Sequence, residues 1–131
     1  MNKAFTMIEL LIVLGVIALL TSIVIKVSVD GVIHSRALQV AMNITEIMKA
    51  AQYKTITSKA TTDSLEELDI SLRDPTNYGI DMAYFSVDAS VAATVTYSGI
   101  VDKERIKGIL QPDAVIVADM VSYCKKFPVY W

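Results

Sequence analysis

A chain of 131 residues holds one domain and little more. Its formal net charge of -2, with basic residues scattered among acidic ones, supplies no electrostatic reason to expect a nucleic-acid partner. The single cysteine excludes an intramolecular disulfide, and no nucleophile motif, phosphate-binding glycine loop or His/Cys cluster supports an enzyme, a cofactor or a metal centre.

Hydrophobic residues make up 53% of the chain, high for a small soluble domain. The excess is concentrated between Phe5 and Ile25, FTMIELLIVLGVIALLTSIVI, interrupted only by Thr6, Glu9, Thr21 and Ser22 and ended by Lys26. As a helix, such a run spans roughly 30 Å, the thickness of a bilayer core. It is too long for the apolar region of a secretory signal peptide. Lys3, just before the run, places the extreme N-terminus on the cytoplasmic side, with Lys26 pulling the other way.

Glu9 is the informative residue of this segment. A carboxylate at membrane depth costs on the order of 2.5–3.5 kcal/mol, so it persists only with a partner or a function. No basic residue shares the run, which points to a partner from outside it: another subunit, or a newly exposed amino group. The plainer alternative is a carboxyl near the headgroups, about one turn from Phe5.

The stretch Ala4-Phe5-Thr6-Met7-Ile8-Glu9-Leu10-Leu11-Ile12-Val13 resembles the processing and methylation motif of type IV prepilins and the related pseudopilins. The resemblance covers roughly the first 50 residues. It implies that residues 1–4 are a leader, removed by the prepilin peptidase between Ala4 and Phe5. Phe5 then becomes the N-methylated first residue. It also implies that Glu9 neutralises the Phe5 ammonium of an adjacent subunit, an interaction strengthened by a low-dielectric filament core. Two positions depart from the family pattern. Ala4 stands where glycine is usual, and Lys26 stands where many members carry a helix-kinking proline. A weak point is expected instead at Asp30-Gly31, amid the β-branched Ile23, Val24, Ile25, Val27, Val29, Val32 and Ile33.

Beyond Gly31, Ile33, Ala37, Val40, Ile44, Ile47 and Ala51 recur at steps of four and three, a helical stripe. One helix from about Phe5 to about Thr57 is expected: residues 5–26 apolar all round, residues 27–57 amphipathic. His34 lies in its membrane-proximal part. Thr55 to Asp63 reads as a loop, and Asp63 or Ser64 as the cap of a short helix ending at Leu68. Asp74-Pro75-Thr76-Asn77 is a turn. Met82–Asp88 and Val91–Ser98 read as strands joined near Ala89-Ser90, Asp102–Leu110 as a charged turn or short helix, and Ala114–Ala118 and Met120–Cys124 as further strands. The fold class is α+β: residues 58–131 form a small antiparallel sheet head packed on the C-terminal half of the long helix.

Cys124, flanked by Val121 and Tyr123, is expected to be buried. Asp74, Asp81, Asp113 and Asp119 lack the alternating pattern of a calcium loop. The tail Phe127-Pro128-Val129-Tyr130-Trp131 is expected to pack at the sheet edge, with an exposed adhesive or base-stacking patch as the rival.

The resemblance implies a structural subunit of a type IV pilus-like filament. Its partners would be further copies of itself, the peptidase, the inner-membrane assembly machinery and, before assembly, lipid. The precursor would sit in a bacterial inner membrane with its head outside the cytoplasm, and the filament at the cell surface or in the periplasm. Two alternatives keep the helix: a minor pilin or secretion pseudopilin, and a membrane-anchored binding domain that never polymerises.

Overall fold

In the computed structural model of the chain, residues 5–72 and 74–130 are described. The fold is α+β. A helix α1, Met7–Ser58, leads into two 3-10 turns, Glu66–Leu68 and Pro75–Asn77. Strands β1 (Tyr78–Phe85) and β2 (Ser90–Tyr97), helix α2 (Lys103–Leu110), and strands β3 (Ala114–Val117) and β4 (Met120–Pro128) complete it. The four strands are antiparallel in the order β1-β2-β4-β3. The chain divides into two compact units after His34.

Among the described residues of the first unit, all but Phe5 and Thr6 belong to α1. The α-helix runs unbroken through Asp30-Gly31. Every described residue from Phe5 to Arg36 is exposed.

In the second unit, the remainder of α1 lays one face on the sheet. Ala37, Val40, Ala41, Ile44, Ile47, Met48, Ala51 and Thr55 are buried. They meet alternate residues of the strands: Tyr78, Ile80 and Met82; Val91, Ala93, Val95 and Tyr97; Val121, Tyr123 and Phe127. The period-2 rule sends the intervening residues outward, which is why this sheet has a single apolar face. Asp102 caps α2, its Oδ1 accepting from the Arg105 backbone N–H at 3.2 Å, so that Ile106 and Leu110 join the core one turn apart.

Several expectations are corrected. Ile33 is outside the buried stripe, at 38% exposure, because the sheet begins to cover the helix only at Ala37. The helix ends at Ser58, close to the expected Thr57, so the loop begins after Ser58 rather than at Thr55; Thr55 is buried, its hydroxyl bonded to the Ala51 carbonyl at 2.9 Å. Neither Asp63 nor Ser64 caps the Glu66–Leu68 turn. Asp63 Oδ1 instead accepts from the backbone N–H of Met82 at 3.3 Å, which anchors the loop to β1. β1 begins four residues earlier than Met82, and β4 runs on to Pro128 rather than ending at Cys124. Cys124 is exposed, because along β4 its buried neighbours Val121 and Tyr123 point to the opposite face. In the tail, Phe127 and Val129 are buried and Tyr130 is 92% exposed; Trp131 lies outside the described residues.

The turn between β3 and β4 is Ala118-Asp119, with φ of 48° and 64°. Two positive φ values suit the twist of a two-residue hairpin, but the left-handed region costs an alanine roughly 1–2 kcal/mol. Asp119 tolerates it better, and its carboxylate pairs with Lys103 Nζ at 2.8 Å. Ala118→Asn is therefore expected to raise stability by about 0.5–1 kcal/mol, read as an increased midpoint of thermal or denaturant unfolding.

The loop after α1 is tied back by one carboxylate. Glu67 Oε2 accepts from Thr62 Oγ1 at 2.6 Å and from Lys54 Nζ at 3.1 Å, and Lys54 also donates to the Glu67 carbonyl at 2.7 Å. The Thr62 hydroxyl first, and Lys54 second, hold the Glu67 carboxyl below the usual glutamate range. The stabilisation from a lowered pKa is fully present above the unfolded-state value, about 4.3, and is lost as pH falls through the lower folded-state value. The Tm gap between wild type and Glu67→Gln is thus expected to be open at pH 7 and to close on acidification below pH ~4, as followed by circular dichroism.

Candidate functional site

The N-terminal turn of α1 carries the sequence Thr6-Met7-Ile8-Glu9, which folds as a reciprocal cap. Glu9 Oε2 accepts from the Thr6 backbone N–H at 2.9 Å and from Thr6 Oγ1 at 2.8 Å. The Glu9 backbone N–H returns to Thr6 Oγ1 at 3.3 Å. A Thr followed three residues later by Glu satisfies orphan donors of a helix start in this way, and the acidic group also complements the positive end of the helix dipole. Thr6, inside the run, supplies hydrogen bonds to the Glu9 carboxylate, while the expected charge partner from outside the run is a separate matter. The signal was present in the spacing Thr6-x-x-Glu9 and is separate from the charge-pairing question, since Thr6 is neutral and leaves the negative charge uncompensated.

Phe5 stands at the start of this turn with 81% of its surface exposed. Ala4, the residue before the expected cut, lies outside the described residues. Phe5, two residues before α1, and Glu9, in its first turn, are therefore placed close in the chain at one end of the helix, while the geometry of cleavage is not.

From Met7 onward the helix offers apolar side chains on every side. Leu10, Leu11, Ile12, Leu14, Ile17, Leu19, Leu20, Ile23, Val24 and Ile25 are all more than half exposed. The two other polar residues of the run are satisfied on the helix itself. Thr21 Oγ1 donates to the Ile17 carbonyl, and Ser22 Oγ to the Leu19 carbonyl at 2.8 Å. Hydroxyls bonded to their own helix backbone are compatible with an apolar surround. This helix is long and apolar enough to cross a membrane, and compatible with membrane anchoring. An exposed apolar surface of this extent far exceeds what a soluble monomer carries.

The amphipathic continuation has a second apolar stripe. Leu38, Met42, Tyr53 and Ile56 are exposed at 43%, 62%, 73% and 55%. At about 100° per residue they fall within roughly 60° of one another, away from the face that meets the sheet, with Thr45 and Lys49 between them. The sequence stripe of steps four and three located the buried face and passed over this one.

Among the described residues, no group of three or more His, Cys, Asp or Glu side chains is placed to hold a metal ion. Asp74, Asp81, Asp113 and Asp119 are spread over a turn, β1 and the two ends of β3.

The chain matches no family model, no curated protein and no solved structure.

Proposed function

We propose that the chain is a structural subunit of a type IV pilus-like filament, held in a membrane by residues 5–26 before assembly and packed through that helix into the filament core afterwards. The observation that carries this reading is the long helix with apolar residues exposed on every side and a single carboxylate, Glu9, in its first turn. Lipid satisfies the apolar surface but not the charge. A bundle of such helices satisfies both, if each Glu9 meets the Phe5 ammonium that leader removal creates on a neighbour. The resemblance of residues 4–13 to the prepilin motif supports the same reading.

The capping contact adds a reason why the pairing can work. Thr6 fixes the Glu9 carboxylate at the mouth of the helix, so the side chain is oriented before a neighbour arrives and less entropy is lost on pairing. The second stripe, Leu38 to Ile56, extends the apolar contact available to neighbouring helices beyond the membrane segment. Identical subunits related by a helical operator form an open fibre, consistent with such head-to-tail contacts.

Two measurements test the reading together. Electron microscopy of the natively expressed protein is expected to show thin fibres, and mass spectrometry of those fibres an N-methylated Phe5 as the first residue. Absence of fibres, with an intact Met1 on a membrane-bound monomer, would overturn it in favour of a tethered binding domain.

A further inference from the structure

The second unit contains a cleft of about 320 Å³ between α1 and one end of the sheet, lined by Arg36, Gln39, Asn43, Asp74, Asn77, Tyr78 and Tyr97 around Val40 and Val101. It plays no part in the assembly reading. The size lies at the lower end of small-molecule sites, about 300–1,000 Å³. Its lining is mostly polar, with Arg36, Gln39 and Asp74 open to solvent and accessible to a ligand. Among the described residues, Asn43 Nδ2 donates to Tyr78 Oη at 3.0 Å, the one hydrogen bond between these side chains. The side chains of Arg36, Gln39, Asp74 and Asn77 form no hydrogen bond or ion pair there.

The walls are fixed. Tyr78 and Tyr97 are core residues whose rings meet at 5.1 Å between centroids, tilted by 49°. A Cβ at Gly99 would collide with the Tyr97 hydroxyl, so glycine lets the chain leave β2 close against that ring. The Asn77 carbonyl accepts from the Ser98 backbone N–H at 2.9 Å, locking the turn that carries Asp74 and Asn77 to the end of β2. Burial pushes both phenols above the ordinary tyrosine range, so each remains a hydroxyl able to donate.

We propose that this cleft binds a neutral polyhydroxylated ligand, one or two sugar residues in size. A sugar hydroxyl donates one hydrogen bond and accepts others, and the lining supplies both kinds. Asp74 only accepts, Arg36 only donates, and Gln39, Asn43 and Asn77 carry both functions. Among the described lining residues, one guanidinium and one carboxylate, more than 4.0 Å apart, balance in formal charge and select neither an anion nor a cation. Both are exposed, so ion pairing with a charged ligand gains little there; Arg36 and Asp74 act as hydrogen-bond donor and acceptor to ligand hydroxyls, beside the Asn43 amide that Tyr78 holds. Val40 and Val101 offer the apolar contact that the C–H faces of a pyranose require.

The test is an amide-detected NMR titration of the full chain in detergent micelles with glucose, galactose and N-acetylglucosamine, with glycine as a zwitterionic comparison. At least one sugar is expected to give saturable shifts at the Asn43 and Asn77 side-chain amides, with Kd in the range of about 1–10 mM. Arg36→Ala and Asp74→Ala, both at exposed positions, are each expected to raise that Kd about tenfold or more while leaving the remaining spectrum in place. Three results would overturn the proposal: no saturable shift with any of the sugars, sugar shifts unaltered by both substitutions, or saturation by glycine alone.

Discussion

Glu9→Ala is expected to leave expression and membrane insertion intact and to reduce filament yield by about tenfold or more, since an uncompensated ammonium in a low-dielectric bundle costs several kcal/mol. The reciprocal cap makes a sharper comparison available. Glutamine at this position keeps a side-chain oxygen for the Thr6 backbone N–H and so preserves the cap while removing the charge. Alanine removes both. If charge pairing drives assembly, Glu9→Gln and Glu9→Ala lose filaments to a similar degree. If the carboxylate serves only to start the helix, Glu9→Gln assembles like the wild type, and the pairing mechanism is discarded. Thr6→Val completes the set: it removes the hydroxyl contact to Glu9 at 2.8 Å while leaving the charge, and is expected to lower yield less than either Glu9 change. Sheared-filament yield, normalised to membrane-inserted subunit, is the quantity to compare.

The second large effect lies in the core. Ile44 and Ile23 are the same residue type on the same helix, but Ile44 has no exposed surface and Ile23 is 63% exposed. Ile44 sits midway along the face of α1 that meets the sheet, so Ile44→Ala removes buried methylenes and leaves a cavity, at about 2–5 kcal/mol. For a unit of this size the Tm of the sheet-bearing part is expected to fall by on the order of 10 °C or more. Ile23→Ala removes nothing from that core, and the same Tm is expected to move by less than about 2 °C. Near-ultraviolet circular dichroism of the full chain in detergent, which reports the packed tyrosines, distinguishes the two. Equal losses from both substitutions would mean that the exposed segment is stabilising the sheet, contrary to the division after His34.

The contrast between these two isoleucines separates what is local from what is not. Composition and periodicity determined that the chain begins with one long helix, apolar all round and then amphipathic, and that an antiparallel four-stranded sheet follows. Those signals are carried by neighbours three, four or two residues apart, within reach of any reading of the linear chain. The same reading located Ala37, Val40, Ile44, Ile47 and Ala51 as a face, and the alternation Val91, Ala93, Val95, Tyr97 as another. A lone carboxylate in an apolar run isolated Glu9 as the residue that a membrane must account for, whereas Phe5 was singled out by the resemblance to the prepilin motif alone.

Where burial starts and stops was decided only in three dimensions. Ile33 continues the helical stripe perfectly well, yet no strand reaches it; Thr55 looks like loop, yet the core covers it. Asp63 was free to cap a helix and was recruited instead by the Met82 backbone, nineteen residues away. Cys124 turned outward because strand pleat, not the polarity of its neighbours, sets direction. The polar cleft draws on α1, a turn and two strands far apart in sequence, and no spacing rule joins them. Helical and strand periods are properties of the backbone and are written locally; which face meets which, and what is left unpaired between them, follows from the register and packing of distant segments.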